Sequence, residues 1–528
     1  MLDRRLVLPH AIAEAAARNP DAVAMIDVTG RNDTFAELAN LVWQWAAALS
    51  RLGVSSGETV MTMLPNSFES YYAWLGVAWL RAIEVPLNTQ YRGQMLAYAT
   101  NHSEAKVAVI SQRYLDCLEP LVGELVHLKC VLVPDASGSL PELPFDIVTG
   151  DVLNEAGTLD IGPGPDYFDI ATMIYTSGTT GPSKGVLVPW AQMYQNTTVW
   201  PTDTLDPRRG LYSPWPAFHA AGKSLFYFSV HNGARLVLRE AFSPGSFWHD
   251  VRAFRCQAAL LSGPMASMLM AAPPSPSDQG NPLESVWVYP LIPAIEEFKA
   301  RFGVRVATGY GMTETGTPVF SDGWDLANGR SCGHRRPGYE VRIVDNHDEP
   351  SPPGQVGELV VRTTEPWLLC AGYWRMPEKM AEAWRNGWFH TGDAFTEDED
   401  GNFYFVDRIK DAIRRRGENI SSFEIEAGVN AHPAVVESAA VAVPSELGED
   451  DVKVVVVLHP GQQLGPAALI EWLIPRVPRF MIPRYVEFAN EIPKTEATLR
   501  AQKMKLRVDP INANTWDREK AGVVLPRE

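Results

Sequence analysis

The sequence predicts a layered α/β fold: a large N-terminal domain of α/β subdomains, followed by a small mobile C-terminal α+β domain. Three observations predict it. At 528 residues the chain is too long for one core. Over residues 1–110, short apolar runs alternate with segments of helical spacing, the pattern of parallel strands joined by helices. After residue 410 the pattern restarts as a separate set of helices and strands, roughly 100 residues long, the size of a small domain.

The elements follow in order. Thr34-Phe-Ala-Glu37 is a capping box. After it Phe35, Leu38, Leu41, Val42, Trp45 and Leu49 keep helical spacing, and Gly53 closes the helix. Residues 58–64 read as a strand, 67–81 as a helix buried on most sides, 85–88 as a short strand, 93–101 as a helix and 106–110 as a strand. Residues 131–168 are rich in Pro, Gly and Asp and read as loop. Ile170-Ala-Thr-Met-Ile-Tyr175 is an apolar run and reads as a buried strand. Residues 211–219 mix aromatics with prolines and show neither period. Further on, 234–238, 258–262 and 283–289 read as strands and 243–254 as a helix. Asp400-Gly401 reads as a hairpin turn before the strand 403–407. In the small domain 421–431 and 467–477 read as helices, and 435–443, 452–458 and 485–488 as strands.

Composition narrows the partners. A formal charge of −17 argues against nucleic acid. No run approaches the ~18 apolar residues of a membrane span, and the N-terminus has no apolar leader. The five cysteines are scattered, without metal spacing, and read as reduced thiols of a cytoplasmic protein.

The chemistry centres on Tyr175-Thr-Ser-Gly-Thr-Thr-Gly-Pro-Ser-Lys-Gly185. Its glycines let consecutive N–H groups face inward as an anion-binding concavity. Thr176, Ser177, Thr179 and Thr180 add hydroxyls, and Lys184 adds a point charge. The stretch misses a Walker A loop, which needs Gly before the Lys and Ser or Thr after it. Gly181-Pro-Ser-Lys-Gly185 also spells G-x-S-x-G, but a strand-like segment follows where a hydrolase elbow needs a helix. A flexible, ligand-free loop is the plainest alternative. Val304-Arg-Val-Ala-Thr-Gly-Tyr-Gly-Met-Thr-Glu-Thr315 is the second centre. There the Tyr310 ring can stack on a base, Thr313 can donate to a phosphate and Glu314 can hold Mg²⁺. In Trp388-Phe-His-Thr-Gly-Asp393, the Asp393 carboxylate can accept both hydroxyls of a ribose.

With these motifs in this order, the chain from about residue 10 to residue 507 resembles the adenylate-forming superfamily. It is most similar to the branch of carnitine/crotonobetaine-type CoA ligases, through Pro216-Ala-Phe-His219, Phe405-Val-Asp-Arg408 and Arg416-Gly-Glu-Asn419. The resemblance implies an AMP-forming acyl-CoA ligase using ATP, Mg²⁺ and coenzyme A. Phosphate contacts fall on Thr176, Ser177, Gly178, Thr179, Thr180, Gly181 and Lys184. Nucleotide contacts fall on Gly309, Tyr310, Gly311, Thr313, Asp393 and Arg408, with Glu314 holding the metal. Trp215, Phe218 and His219 would close over the acyl pocket and the thiol tunnel. Gly263 and Gly309, with Ala220, Ala221, Gly222 and Ser262, would line that pocket, and small side chains there hint at a bulky acid. Arg416 and Gly417 would lie near the CoA channel. The implied domains are 1–407, a hinge at 408–410 with Lys410 as pivot, a lid at 411–507, and a tail at 508–528.

One motif departs. The family carries P-K-T-x-x-G-K near its C-terminus, whereas this chain reads Pro493-Lys-Thr-Glu-Ala-Thr-Leu-Arg-Ala-Gln-Lys503. Without a gap, Leu499 takes the catalytic lysine's place; with a one-residue insertion, Arg500 does. Arg keeps the charge and binds phosphate in a two-pronged way, though it is not equivalent to Lys. Three other readings stay open: an enzyme competent in one half-reaction, one that loads an acyl-carrier protein, and a non-catalytic nucleotide-binding protein. The acid and the oligomeric state are also open, with a homodimer among the candidates.

Overall fold

The computed structural model describes residues 3–154, 161–176, 183–201, 205–206, 208–324, 326–409, 413–415, 418–420, 422–445, 450–495, 499 and 501–525. Two compact units divide the chain: Met1–Glu340 with Val361–Phe389, and Val341–Val360 with His390–Glu528. Residues 341–360 and 390–407, expected in the large domain, fall in the second unit.

In the first unit the expected parallel strands form two sheets. One has five strands in the order Ile83–Pro86, Thr59–Met63, Val107–Ile110, Cys130–Val133, Asp146–Thr149, all parallel. Its last two strands correct the loop expected over 131–168. Cys130–Val133 is a wholly buried apolar strand between polar flanks, and Asp146–Thr149 is half-exposed and lacks a strong pattern. The other sheet has seven strands, in the order Arg305–Ala307, Ser285–Tyr289, Cys256–Ser262, Gly210–Ser213, Arg235–Leu238, Val23–Asp27, Asn32–Thr34. Gly210–Ser213 is a strand inside the stretch that showed no period.

The capping box forms as read. The Thr34 hydroxyl accepts from the Glu37 N–H at 3.2 Å, and the Glu37 carboxylate accepts from the Thr34 N–H at 2.8 Å, worth ~1 kcal/mol. The helix it starts, Phe35–Arg51, packs on Phe68–Trp79 at Gly76, where a Cβ would stand 2.8 Å from that of Trp45. Only glycine permits that approach.

The motif segments, by contrast, are antiparallel. Ile170–Thr176 pairs with Lys184–Pro189, which pairs with Gly372–Tyr373. Gly309–Met312, Gly316–Phe320 and His334–Arg335 form a second small antiparallel sheet. Behind them lies a buried ion pair: Lys223 Nζ stands 2.7 Å from Glu84 Oε2 and 4.0 Å from the Trp74 ring centre. Thr172, on the strand entering the glycine-rich loop, donates to the same Glu84 oxygen at 3.0 Å. Burial pushes the Glu84 pKa up and the Lys223 pKa down, each against the pull of its partner. Removing one partner of such a pair costs ~3–5 kcal/mol.

The second unit contains a four-stranded sheet in the order Val435–Pro444, Asp450–Leu458, Tyr485–Phe488, Thr515–Asp517. Ser422–Asn430 and Pro466–Leu473 supply its helices, with Ile425, Val429, Leu469, Ile470 and Leu473 in the core. The fourth strand corrects the tail expected at 508–528. Trp516 and Leu525 pack on that core, and Asp517 pairs with Arg484. The signal was missed because one three-residue strand has no period of its own.

Candidate active site

The register Thr176↔Lys184 and Tyr175↔Gly185 closes the base of the glycine-rich loop. Ser177, Gly178, Thr179, Thr180 and Gly181, within it, lie outside the described residues. Both stems are tied to the helix Gly93–Ser103. The Tyr98 hydroxyl donates to the Ser183 carbonyl at 2.9 Å, and the Tyr175 hydroxyl donates to the Ala99 carbonyl at 3.1 Å. Among the described residues the buried Thr176 hydroxyl has no hydrogen-bond partner, as suits a group that awaits a ligand.

Lys184 points at Tyr373. Its Nζ donates to the Tyr373 hydroxyl at 3.0 Å and stands 4.1 Å from the ring centre. That hydroxyl donates in turn to Glu314 Oε1 at 3.0 Å. Burial, reinforced by the Glu314 carboxylate, raises the Tyr373 pKa far above its ordinary value, so the phenol remains a donor. A cation and a carboxylate from distant motifs are thus joined through one oxygen. Glu314 itself is buried, and its carbonyl accepts from the Cys370 N–H at 2.8 Å. Gln192, on the helix Trp190–Gln195, donates to the Thr313 carbonyl at 2.8 Å and so braces the same turn.

Gly309 and Gly311 are needed for backbone approach. A Cβ on Gly309 would stand 2.7 Å from the Val319 carbonyl oxygen, and one on Gly311 would stand 2.3 Å from that of Gly316. Gly263 and Gly222 likewise face the carbonyls of Pro290 and Pro216, at 2.9 and 2.5 Å. These glycines therefore serve close packing, which corrects the reading of their small size as volume for a bulky acid. Tyr310 is largely buried between them.

His219 caps the helix Ala220–His231, its Nδ1 accepting from the Ala221 N–H at 3.1 Å. The proton of the neutral ring therefore sits on Nε2. The residue is half-buried, and protein atoms surround its ring closely enough that desolvation pushes its pKa down to about 4. Its ring lies 5.3 Å from that of Trp215, whose indole N–H is bound to the Leu260 carbonyl at 2.8 Å; Phe218 is half-buried.

In the second unit, Asp393 is paired in register with Arg408, whose Nε lies 3.6 Å from Asp393 Oδ1. Glu358 holds the turn before it, accepting from the Gly392 N–H at 2.9 Å and standing 2.9 Å from His390 Nδ1. Lys410, Arg416, Gly417 and Arg500 lie outside the described residues. Sequence reasoning missed Tyr373, Gln192 and Glu358. Each acts through a long-range bond, and no local pattern marks such a residue.

Residues 12–374 match the family model described as AMP-binding enzyme, and residues 424–498 match the AMP-binding enzyme C-terminal domain. The chain belongs to the AMP-binding enzyme family. Among curated relatives, this AMP-binding enzyme is 29% identical over 489 residues to the crotonobetaine/carnitine–CoA ligases of Salmonella typhi and Salmonella paratyphi A, covering 88% of this chain and 91% of theirs. Among solved structures, ATP-bound MatB from Rhodopseudomonas palustris is similar with a TM-score of 0.83 at 25% identity, over 95% of this chain and 98% of that one. The anthranilate CoA ligase AuaEII, solved with anthranoyl-AMP, shares the fold with a TM-score of 0.83 at 24% identity, over 94% and 96%. Among the described residues no helix is long and apolar enough to cross a membrane.

Proposed function

We propose that this AMP-binding enzyme is an AMP-forming acid–thiol ligase that joins a carboxylic acid to coenzyme A in two steps. The acid's carboxylate oxygen attacks the α-phosphorus of ATP, the bond to the β-phosphate's bridging oxygen breaks, and pyrophosphate leaves. The CoA sulfur then bonds to the acyl carbon, AMP leaves, and the thiol proton passes to solvent. The observation that carries this reading is the Tyr373 hydroxyl bridging Lys184 and Glu314. A cation for polyphosphate and a carboxylate are oriented beforehand, so little reorganisation is needed when charge shifts towards pyrophosphate.

Glu314 fits Mg²⁺. No cluster of three His, Cys, Asp or Glu side chains among the described residues could hold a metal alone, which suits an ion held by one carboxylate and the substrate's phosphates. Bound there, Mg²⁺ would neutralise phosphate charge. Thr176 and Thr313 supply hydroxyl donors, Asp393 and Arg408 hold the ribose, and Lys410 acts as the hinge. Neutral His219, with its proton on Nε2, donates a hydrogen bond and takes no proton from the thiol.

Arg500 supplies the C-terminal cation. Leu499 has a φ of 55°, in the left-handed region that favours glycine, which supports reading it at the family's Gly and the next residue at its Lys. This favours a complete two-step enzyme over one competent in a single step.

Acid-dependent ATP–pyrophosphate exchange tests the proposal, using pools that include carnitine, crotonobetaine, aromatic, dicarboxylic and fatty acids, followed by thioester formation on adding CoA. Exchange followed by thioester is expected. Exchange that proceeds only to a carrier protein, or ATP binding without any acid-dependent turnover, would overturn it.

A further inference from the structure

Four cationic side chains are buried among the described residues: Lys223, Arg336, Lys453 and Arg518. Three face a carboxylate. Lys223 lies 2.7 Å from Glu84, Lys453 lies 2.5 Å from Glu487, and Arg518 lies 3.4 Å from Glu519. Arg336, 4% exposed, faces none among the described residues. Its Nη1 donates to the Thr317 carbonyl at 3.3 Å. Its Nη2 reaches the Gln195 carbonyl, Gln195 Oε1 at 2.6 Å and the Thr198 hydroxyl. The guanidinium stands 5.5 Å from the Tyr339 ring. Burial pushes its pKa down. A guanidinium stays charged even so. A buried charge compensated by dipoles alone is costly, and an anion beside it recovers that cost.

The position points to the acid. Arg336 donates its N–H to the Pro318 carbonyl on the strand Gly316–Phe320, which follows Glu314 directly. Gln195 ends the helix whose Gln192 braces Thr313. Beyond Tyr289 an aromatic series runs through Trp287 and Trp200, at ring separations of 5.3 and 5.5 Å. It ends on Phe228, which stacks on Trp200 at 4.8 Å and belongs to the helix that His219 caps. Arg336 is thus bonded to the segments beside the Glu314 turn, and its side-chain partners are not those of Lys184. The Trp287 indole N–H, next in the series to Tyr289, is buried without a partner among the described residues. A buried cation with no acidic acceptor among the described residues describes a place for an anionic group.

We infer that Arg336 is a specificity-determining residue that reads a second anionic group on the acid, so that the substrate is a dicarboxylate or a similarly dianionic acid. This rests on the ligase reading above. The test is ATP–pyrophosphate exchange with aliphatic and aromatic dicarboxylic acids against their monomethyl esters, which keep the length and lose one charge. Wild type is expected to favour one diacid over its ester by ~100-fold in kcat/KM, because a site built for a polar group rejects an analogue that lacks it. Arg336→Met should bring diacid and ester within a few-fold and leave the KM for ATP unchanged. Arg336→Lys should restore part of the preference. Equal use of diacids and esters by wild type would overturn the inference, and that result stands even if Arg336→Met fails to fold. A rise in the KM for ATP in place of that for the acid would also overturn it, assigning Arg336 to phosphate. Exchange with neutral monoacids only removes this inference and leaves the ligase standing, whereas no exchange with any acid removes both.

Discussion

Two clusters, one in each unit, are proposed to meet the phosphates and the ribose, and they are built differently. Lys184, Tyr373 and Glu314 come from three distant segments and are locked by 3.0 Å bonds around a buried phenol. Asp393 and Arg408 are neighbours on one antiparallel ladder, their charges 3.6 Å apart with the arginine well exposed. The first arrangement is fixed before any ligand arrives. The second takes its geometry from the ladder and holds the half-exposed Arg408 by a single 3.6 Å ion pair. The cluster proposed to stabilise charge during bond breaking is built from buried hydrogen bonds; the one proposed to hold the sugar relies on register.

That contrast can be broken or sharpened. Glu314→Ala should lower pyrophosphate exchange by ~10³-fold, as removal of a positioned charge-stabilising group does; near-normal exchange would refute its place on the metal. Tyr373→Phe keeps the ring and removes the bridging oxygen. It should lower kcat/KM for ATP by ~10–100-fold, the worth of a hydrogen bond to a charged group, while reaction of preformed acyl-adenylate with CoA stays near normal. Equal loss of both steps would make Tyr373 merely structural. Asp393→Asn should raise the KM for ATP by only about tenfold with little change in kcat, since it removes uniform binding; a kcat loss matching that of Tyr373→Phe would erase the distinction between the two sides.

The smallest effect concerns His219. Its folded pKa of about 4 lies below the ordinary 6.5, so the unfolded chain binds the extra proton first as pH falls. The stability it contributes is complete above pH 6.5 and is lost down to about pH 4. His219→Asn, which can also cap a helix, should flatten the fall in Tm over that window; an unchanged profile would mean that the ring titrates normally.

Much of the fold was legible because its signals are local. The capping box at Thr34, the apolar run at Ile170 and the alternation of strand and helix all formed as read. What escaped depends on partners far along the chain. Asp146–Thr149 and Thr515–Asp517 are strands only because neighbours accept them. The glycines of 222, 263 and 309 invited a reading as open volume, yet each faces a carbonyl oxygen, a fact set by tertiary approach. For the site, motifs placed Lys184 and Glu314, while the phenol that joins them carries no spacing of its own. The φ of Leu499 shows the reverse: one backbone angle supports one of two alignments that the letters left open.

The strand Thr515–Asp517 has a practical consequence. It covers the hydrogen-bonding side of Tyr485–Phe488, and an uncovered sheet edge is a template for pairing between chains. A chain cut after residue 507, where the family likeness ends, should keep its catalytic residues and lose its protection against self-association. Gel filtration would show this as aggregates that the full chain does not form; a monodisperse truncated protein would show that the edge is guarded in some other way.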